Sequence, residues 1–454
     1  MRPKRGEHLD LTISDLAYGG KGVAKLDGFV VFVASAVPGD TVEVEIEKVR
    51  GNYAESKVVK VISPSPHRVN PVCEHFGYCG GCKWQHLEYA MQKKYKEDQV
   101  RQALIHIAGL KNPPVEPIIG AHKTYYYRNK MEFSFHVGDN GGTLLGLHFA
   151  GRFQDIFQLN RCHLQSEESN ELVKFVRERS MELGLLPYHI IEHSGYLRFL
   201  VIREGKFTGE TLVNIVTGAG VYPELKVLAE NIAQRFPRVK SVSHTVNPEK
   251  ANIARGEKET ILFGSDHINE ILGERKYRIS ANSFFQTNSY QAQRLFDLAV
   301  ELAEPSRSET MLDLYCGTGT IAVYFSDLVQ GVTGIEAVED AVHDAEVNMT
   351  LNSIRNCRFV AADVNEFLKQ AVDAHEKYEL AVVDPPRAGL HPDVVSSLTA
   401  IRPRKIVYIS CNPATLARDI KEFVQSGYEL NRAVPVDLFP HTFHIEAACR
   451  LTLR

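Results

Sequence analysis

Cys411 lies in the stretch Lys405 to Thr415, where a β-branched and aromatic run ends in Ser410-Cys411-Asn412-Pro413. The run reads as a buried strand, and Pro413, with φ pre-set for a first helical turn, starts a helix over Ala414 to Phe423. The cysteine therefore falls at a strand-to-helix corner, where orphan backbone donors and the positive end of the helix dipole favour thiolate over thiol. A nucleophile belongs at such a corner, although a small buried hydrophobe is the commonest fate of a free cysteine. A second group, Cys73, Cys79 and Cys82, is set among Gly77, Gly80 and Gly81, whose backbone freedom lets three thiolates face one point. Cys162 is the best fourth ligand, with His75 or His86 as zinc-style alternatives. Four thiolates favour a 4Fe-4S cluster and three with a histidine favour zinc, and spacing alone does not separate the two.

A third group surrounds a glycine turn. Thr310 to Tyr315 reads as a strand, Cys316-Gly317-Thr318-Gly319-Thr320 as a tight loop and Ile321 to Leu328 as a helix. The next strand, Gly331 to Glu336, ends in a carboxylate able to accept from both hydroxyls of a ribose. Gly317-x-Gly319-x-x-Ala322 also fits a loose dinucleotide pattern, so the loop alone does not separate NAD from another adenosyl cofactor. Asp313 before the loop tilts the choice to the latter. So does Asp363, which ends a third strand where an adenine amino group would lie. Asp384, locked by Pro385 and Pro386 at the end of a fourth strand, would face the reacting centre; turn-forming aspartates are the plainer alternative.

These groups need a scaffold. From about Tyr277, strands alternate with helices in the manner of an α/β, doubly wound parallel sheet. Near the start, the runs Leu9–Thr12, Gly28–Ala34, Thr41–Lys48 and Ala54–Val61 suggest a five-stranded barrel of the oligonucleotide-binding (OB-like) sort, followed by a Ser63-Pro64-Ser65-Pro66 linker. Residues 85–108 read as a helix whose basic face, including Lys93, Lys94, Lys96 and Arg101, is an ordinary solvated one. His122 to Lys130 interleaves three tyrosines with basic residues, either a strand that stacks nucleobases or a plain edge strand. No catalytic motif stands out in residues 131–278. Three units follow: a barrel over 1–63, an α+β central domain over 64–278 that carries the cysteine site, and the doubly wound domain over 279–454.

Composition excludes several classes. Of 454 residues, 44% are hydrophobic and 24% charged, as in ordinary globular chains. A net charge of −4 argues against nucleic-acid binding through bulk positive charge, so any such contact uses local patches. Phe29 to Val37, the longest apolar run, is far too short for a bilayer, and no hydrophobic signal core follows the first residues, so a cytoplasmic protein is expected. Eight cysteines there mean metal or catalysis rather than a disulfide framework.

The DLYCGTG loop, the DPPR run at Asp384, the SCNP run at Cys411 and a closing His441-Thr442-Phe443-His444-Ile445-Glu446 together resemble the RNA uridine 5-methyltransferase family, which uses S-adenosylmethionine. The resemblance covers nearly the whole chain. It implies a Rossmann-like methyltransferase domain preceded by a TRAM barrel, with Cys411 as nucleophile and Glu446 as base. Gln286, Tyr315, Glu336, Asp363 and Asp384 become the cofactor-site residues, and Phe284 and Gln286 touch the target base. It further implies that Cys73, Cys79, Cys82 and Cys162 hold a 4Fe-4S cluster, that a helix over about 92–115 packs on the catalytic domain, and that the protein is a monomer acting on RNA. Large-subunit (23S) ribosomal RNA is the favoured substrate and transfer RNA the alternative. Competing readings are a methyltransferase acting on an amino group, which has no need of Cys411 and Glu446, and a non-catalytic RNA-binding iron-sulfur scaffold. An NAD oxidoreductase fits least, because nothing supplies a hydride-accepting site.

Overall fold

The computed structural model describes residues 2–138, 141–256 and 258–454. The first sheet contains β1 (His8–Thr12), β2 (Asp15–Leu16), β3 (Gly22–Leu26), β4 (Phe29–Ala34), β5 (Thr41–Val49) and β6 (Tyr53–Ser63), in the order β1-β5-β6-β4-β3-β2. It rolls up because alternate residues turn inward: Ala24, Val31, Val33, Val42, Val44, Ile46 and Ala54 are sealed while their neighbours face water. Six strands replace the expected five. The two-residue β2 is too short to show any periodicity, and β3 carries its alternation on a small alanine.

One long helix, α1 (Tyr89–His106), leaves the barrel for the far end of the chain. It ends at His106 rather than near 115, because Gly109 takes a left-handed turn (φ +75°) and Pro113 and Pro114 follow. The chain then runs as an extra edge along the last sheet, with Val115 opposite Ala433 and Ile119 opposite Val436. Residues 122–129 form an irregular loop, not the expected strand; pairing starts only at β7 (Lys130–Val137).

The central sheet adds β8 (Thr143–Phe149), β9 (Arg152–Gln158), β10 (Leu197–Glu204), β11 (Thr211–Thr217), β12 (Val239–Val246) and β13 (Lys258–Gly264), in the order β13-β12-β11-β10-β7-β8-β9. Helices α2 (Glu167–Glu182) and α3 (Glu224–Arg235) cover it, and their apolar stripes join its core through Leu172, Val176, Leu228 and Ile232. A hairpin, β14 (His267–Leu272) and β15 (Arg275–Ser280), leads into α4 (Ser289–Ala303).

In the last sheet, β16 (Thr310–Leu314), β17 (Gly331–Glu336), β18 (Cys357–Ala361), β19 (Leu380–Val383) and β20 (Lys405–Ser410) are parallel, with β21 (Tyr428–Val436) and an antiparallel β22 (Glu446–Leu453) at one side. The order is β18-β17-β16-β19-β20-β22-β21, so the winding reverses between β16 and β19 and opens a crevice at their carboxyl ends. Leu312, Leu314, Val383, Ile406 and Tyr408 pack on one face and Met311, Val382, Val407 and Ile409 on the other. Near-continuous apolar strands are what a sheet covered on both faces requires. The covering helices are α5 (Thr320–Phe325), α6 (Glu339–Leu351), α7 (Val364–Asp373), α8 (Pro392–Ile401) and α9 (Pro413–Gln425). Val100 and Leu104 of α1 join the same core as Leu416 and Ile420 of α9. Among the described residues, no helix is long and apolar enough to cross a membrane.

Candidate active site

Cys411 follows β20 directly and precedes α9, whose first turn is capped by Asn412 with Pro413 at the first helical position. Opposite it runs β22: Ser410 pairs with Ala447, which places Glu446 across from the cysteine. The loop after β19 closes the third side, since the Arg387 carbonyl accepts from the Asn412 amide at 3.1 Å. Cys411, Glu446, Asp384 and Arg387 therefore meet at the carboxyl ends of the middle strands, although three separate runs of sequence supply them.

The electrostatics reverse one expectation. Burial pushes the Cys411 thiol up to about 11, and Glu446 and Asp384 add to the rise, against a smaller opposing pull from Arg387. The helix start does not dominate, because desolvation and two acids outweigh a terminus dipole whose influence fades within a turn. Glu446 is itself raised well above the ordinary carboxylate range by burial, then by Asp384. Burial alone carries Asp384 up to about 7. In the ligand-free protein at neutral pH, the Cys411 thiol is therefore protonated.

The glycine turn sits beside this cluster, since β16 pairs with β19. Tyr315 follows β16 with φ +64°, and Gly317 and Gly319 come next at +52° and +70°. A side chain on Gly319 would stand 2.8 Å from both Ala345 and Phe359, so only glycine fits. Glu336 is fixed at the end of β17 by the Gly317 N–H (3.1 Å to Oε2) and the Val338 N–H (3.0 Å to Oε1). Asp363 caps α7 through Oδ1, which accepts from the Asn365 and Glu366 N–H groups. Asp313 is sealed beneath the loop and carried up to about 8 by burial, accepting from the Ala322 N–H at 2.9 Å.

Phe284 and Gln286 lie on the segment between β15 and α4. The buried Arg203 guanidinium holds that segment by donating to the Ala281 and Ser283 carbonyls at 3.1 and 2.5 Å. The Thr318 hydroxyl donates to the Phe284 carbonyl at 3.3 Å and the Asn129 amide to that of Gln286 at 2.8 Å. Phe284 keeps 63% of its surface exposed above the glycine turn, with its ring 4.0 Å from where a Gly317 side chain would start.

Several residues escaped the sequence reading. Lys96, assigned to a solvated face, is fully buried: its ammonium donates to Asp437 at 2.6 Å and to the Phe439 carbonyl at 3.0 Å. Tyr89 donates to the other Asp437 oxygen at 2.9 Å. The signal was unreadable because the partners lie 341 positions apart. The pair anchors loop 437–445, which leads to Glu446. Of the tyrosines in the 122–130 segment, Tyr125 stacks on His441 (4.3 Å between ring centres) and Tyr127 is buried with its hydroxyl on the Pro440 carbonyl at 3.1 Å. Two of the three aromatics thus brace the same loop. Burial lowers His441 and His444 to about 4, so both are neutral.

Cys73, Cys79, Cys82 and Cys162 all line one cavity of about 570 Å³ between the start of the central domain and β8. All four are free thiols. His75 also faces the cavity, while His86 points away toward Arg68 and Asp40. The Gly81 N–H is aimed at Cys79 Sγ at 3.4 Å. Among the described residues, no three histidine, cysteine or acidic side chains are drawn together as ligands of a single metal ion.

A doubly wound sheet with a glycine turn after its first strand and an acid at the end of its second defines a Rossmann-like domain, the class to which S-adenosylmethionine-dependent methyltransferases belong. The family model described as tRNA (Uracil-5-)-methyltransferase matches residues 88–454 and the TRAM domain model residues 2–59. The chain belongs to this RNA uracil-5-methyltransferase family and carries its N-terminal TRAM domain. It is 39% identical over 469 residues to an uncharacterized RNA methyltransferase of Chlorobaculum tepidum, covering 99% of this chain and 97% of that one. Against an uncharacterized RNA methyltransferase of Halalkalibacterium halodurans the identity is 37% over 450 residues, covering 99% and 98%. The crystal structure of the Pyrococcus abyssi tRNA (uracil-54, C5)-methyltransferase in complex with S-adenosyl-L-homocysteine aligns with a TM-score of 0.78 at 31% identity, over 98% of this chain and 100% of that one.

Proposed function

We propose that the protein transfers a methyl group from S-adenosylmethionine to carbon 5 of a uridine in structured RNA, with Cys411 as nucleophile and Glu446 as base. The observation that carries this reading is the meeting of Cys411 with Glu446 across β20 and β22 beside the glycine-turn groove. Uracil carbon 5 is too weak a nucleophile to take a methyl group unaided. Once its proton has left, the Cys411 thiolate adds to carbon 6 and creates an enolate whose carbon 5 can attack. When bound, the cofactor supplies the methyl on a cationic sulfonium. Glu446 then removes the proton left on carbon 5, the Cys411–carbon 6 bond breaks, and the ring is restored. Tyr315, Glu336, Asp363, Asp384 and Gln286 hold the cofactor in this reading. Phe284, exposed above the groove, and Gln286 receive a uracil extruded from its stack.

The barrel and the four-cysteine arrangement resemble the ribosomal branch, which makes 23S RNA the first substrate to test. The archaeal neighbour named for uracil 54 of transfer RNA favours transfer RNA as the second reading. Cys73, Cys79, Cys82 and Cys162 would hold a 4Fe-4S cluster: they share one cavity, all four are free thiols, and a backbone N–H addresses one sulfur. The group would supply a rigid cross-link between the loop at 73–82 and Cys162.

Incubation with radiolabelled S-adenosylmethionine and unmodified ribosomal or transfer RNA, with Cys411→Ala as control, tests the reaction. Label in 5-methyluridine that vanishes in the variant is expected; label in another nucleoside, or full activity of Cys411→Ala, would refute it. Protein isolated without oxygen should contain about four irons and four acid-labile sulfides per chain, lost in Cys162→Ser. One zinc per chain would overturn the cluster.

A further inference from the structure

The turn between β2 and β3, residues 17–21, reaches out of the barrel to the mouth of the candidate active site. It is tightly built: the Ala17 N–H donates to Lys21 O at 2.9 Å, the Gly20 N–H to Ala17 O at 3.0 Å, and Gly19 and Gly20 both take positive φ, +99° and +91°. It is also seated firmly. The Trp84 indole N–H donates to Gly20 O at 3.3 Å and the Gln99 amide to Leu16 O at 3.2 Å. A side chain on Gly20 would meet Trp84, Lys83 and Phe443 at 3.2–3.5 Å. This fixed turn carries Tyr18, which leaves 48% of its surface exposed and sets its ring edge-on to Phe443 (5.9 Å, 83°). Phe443 in turn packs on His444 at 4.3 Å. A single exposed aromatic is ordinary on a protein surface. Tyr18 differs in its place: through Phe443 and His444 it stands beside the segment that leads into Glu446, and its hydroxyl, raised first by burial, lies near enough to Cys411 and Arg387 to be shifted by them.

Resting on the function proposed above, we propose that Tyr18 and Phe443 form a base-stacking subsite that takes an unpaired nucleobase adjacent to the target uridine. Extruding one base leaves its neighbour without a stacking partner, and an aromatic face on a rigid turn replaces that partner without reading its identity. The barrel then contributes to the site itself as well as to RNA contact elsewhere.

The test uses a synthetic RNA hairpin containing the uridine mapped in the labelling experiment, intact or with an abasic nucleotide on either side of it. The intact protein and its Tyr18→Ala and Tyr18→Phe variants are compared for KM and kcat. Tyr18→Ala should raise KM at least about fivefold, the lower range of base–aromatic stacking, while Tyr18→Phe stays near the parent. An abasic nucleotide on one side should cost the parent a similar factor and cost Tyr18→Ala nothing more. If the abasic hairpins weaken both proteins equally, or neither, the subsite is overturned while the methylation reading stands. If the parent methylates no RNA, the function itself falls. Trp84 is the only tryptophan in the chain, so unchanged emission in Tyr18→Ala shows the turn still docked. The abasic hairpins with the parent protein decide the matter even if that emission moves.

Discussion

At Cys411 the balance of effects sets the chemistry. Burial and two neighbouring acids hold the thiol protonated, so catalysis needs a positive charge to arrive, and a bound sulfonium would join Arg387 in supplying one. Alkylation of Cys411 by iodoacetamide should therefore be faster, by about tenfold or more, with S-adenosylmethionine than with the uncharged thioether S-adenosylhomocysteine at equal occupancy. Equal rates would remove the charge argument. Asp384 gives a second test. Raised to about 7, it is neutral below that pH and a carboxylate above it, where it attracts the cationic sulfonium, so methylation at subsaturating S-adenosylmethionine should climb as pH rises through about 7. Asp384→Asn should lower the rate and flatten that limb.

Among the elements, two short segments bear the geometry. The glycine turn before α5 needs positive φ at Gly319 and clearance from Ala345 and Phe359, so Gly319→Ala should cost at least about 1 kcal/mol of stability and weaken S-adenosylhomocysteine binding, measured by calorimetry. Loop 437–445 depends on the sealed pair Lys96–Asp437. Burial pulls the Lys96 ammonium down, and Asp437 at 2.6 Å opposes that pull. Lys96→Met leaves Asp437 buried without its cation and should cost about 3–5 kcal/mol in urea unfolding. Removing both charges with Lys96→Met and Asp437→Leu should cost less than the sum of the single changes.

On the scale of the whole molecule, barrel, long helix, central sheet and catalytic sheet converge on that one loop. The Lys83 and Trp84 N–H groups both donate to His441 O at 2.9 Å, so the loop bearing Cys82 is directly bonded to the loop leading to Glu446. Trp84 also shares a small core with Leu16, Val37 and Leu87, in which Phe443 packs. Trp84→Ala should cost about 3–5 kcal/mol and loosen the barrel. In the parent protein, the emission of this single tryptophan should shift to the red in the same urea step that abolishes methylation; a separate earlier step would show the barrel to be an independent appendage.

The parallel sheet was legible because most of its strands are locally apolar and four of the five are followed by their own turn or cap: Gly317 and Gly319, Asp363, Pro385, Pro413. Residue types at strand ends pointed to a groove and a thiol, since those signals lie within a few positions of one another. Spacing along the chain also exposed the cysteine group. What it did not determine was anything set by distant partners. The protonation of Cys411 depends on Glu446 and Asp384 from other strands, and the burial of Lys96 on an aspartate at the far end of the chain. Whether Tyr125 meets RNA or His441 depends on where loop 437–445 lies, and the nearness of Tyr18 to the thiol on how the barrel docks. Such effects combine desolvation with long-range contact, and neither exists until the chain has folded.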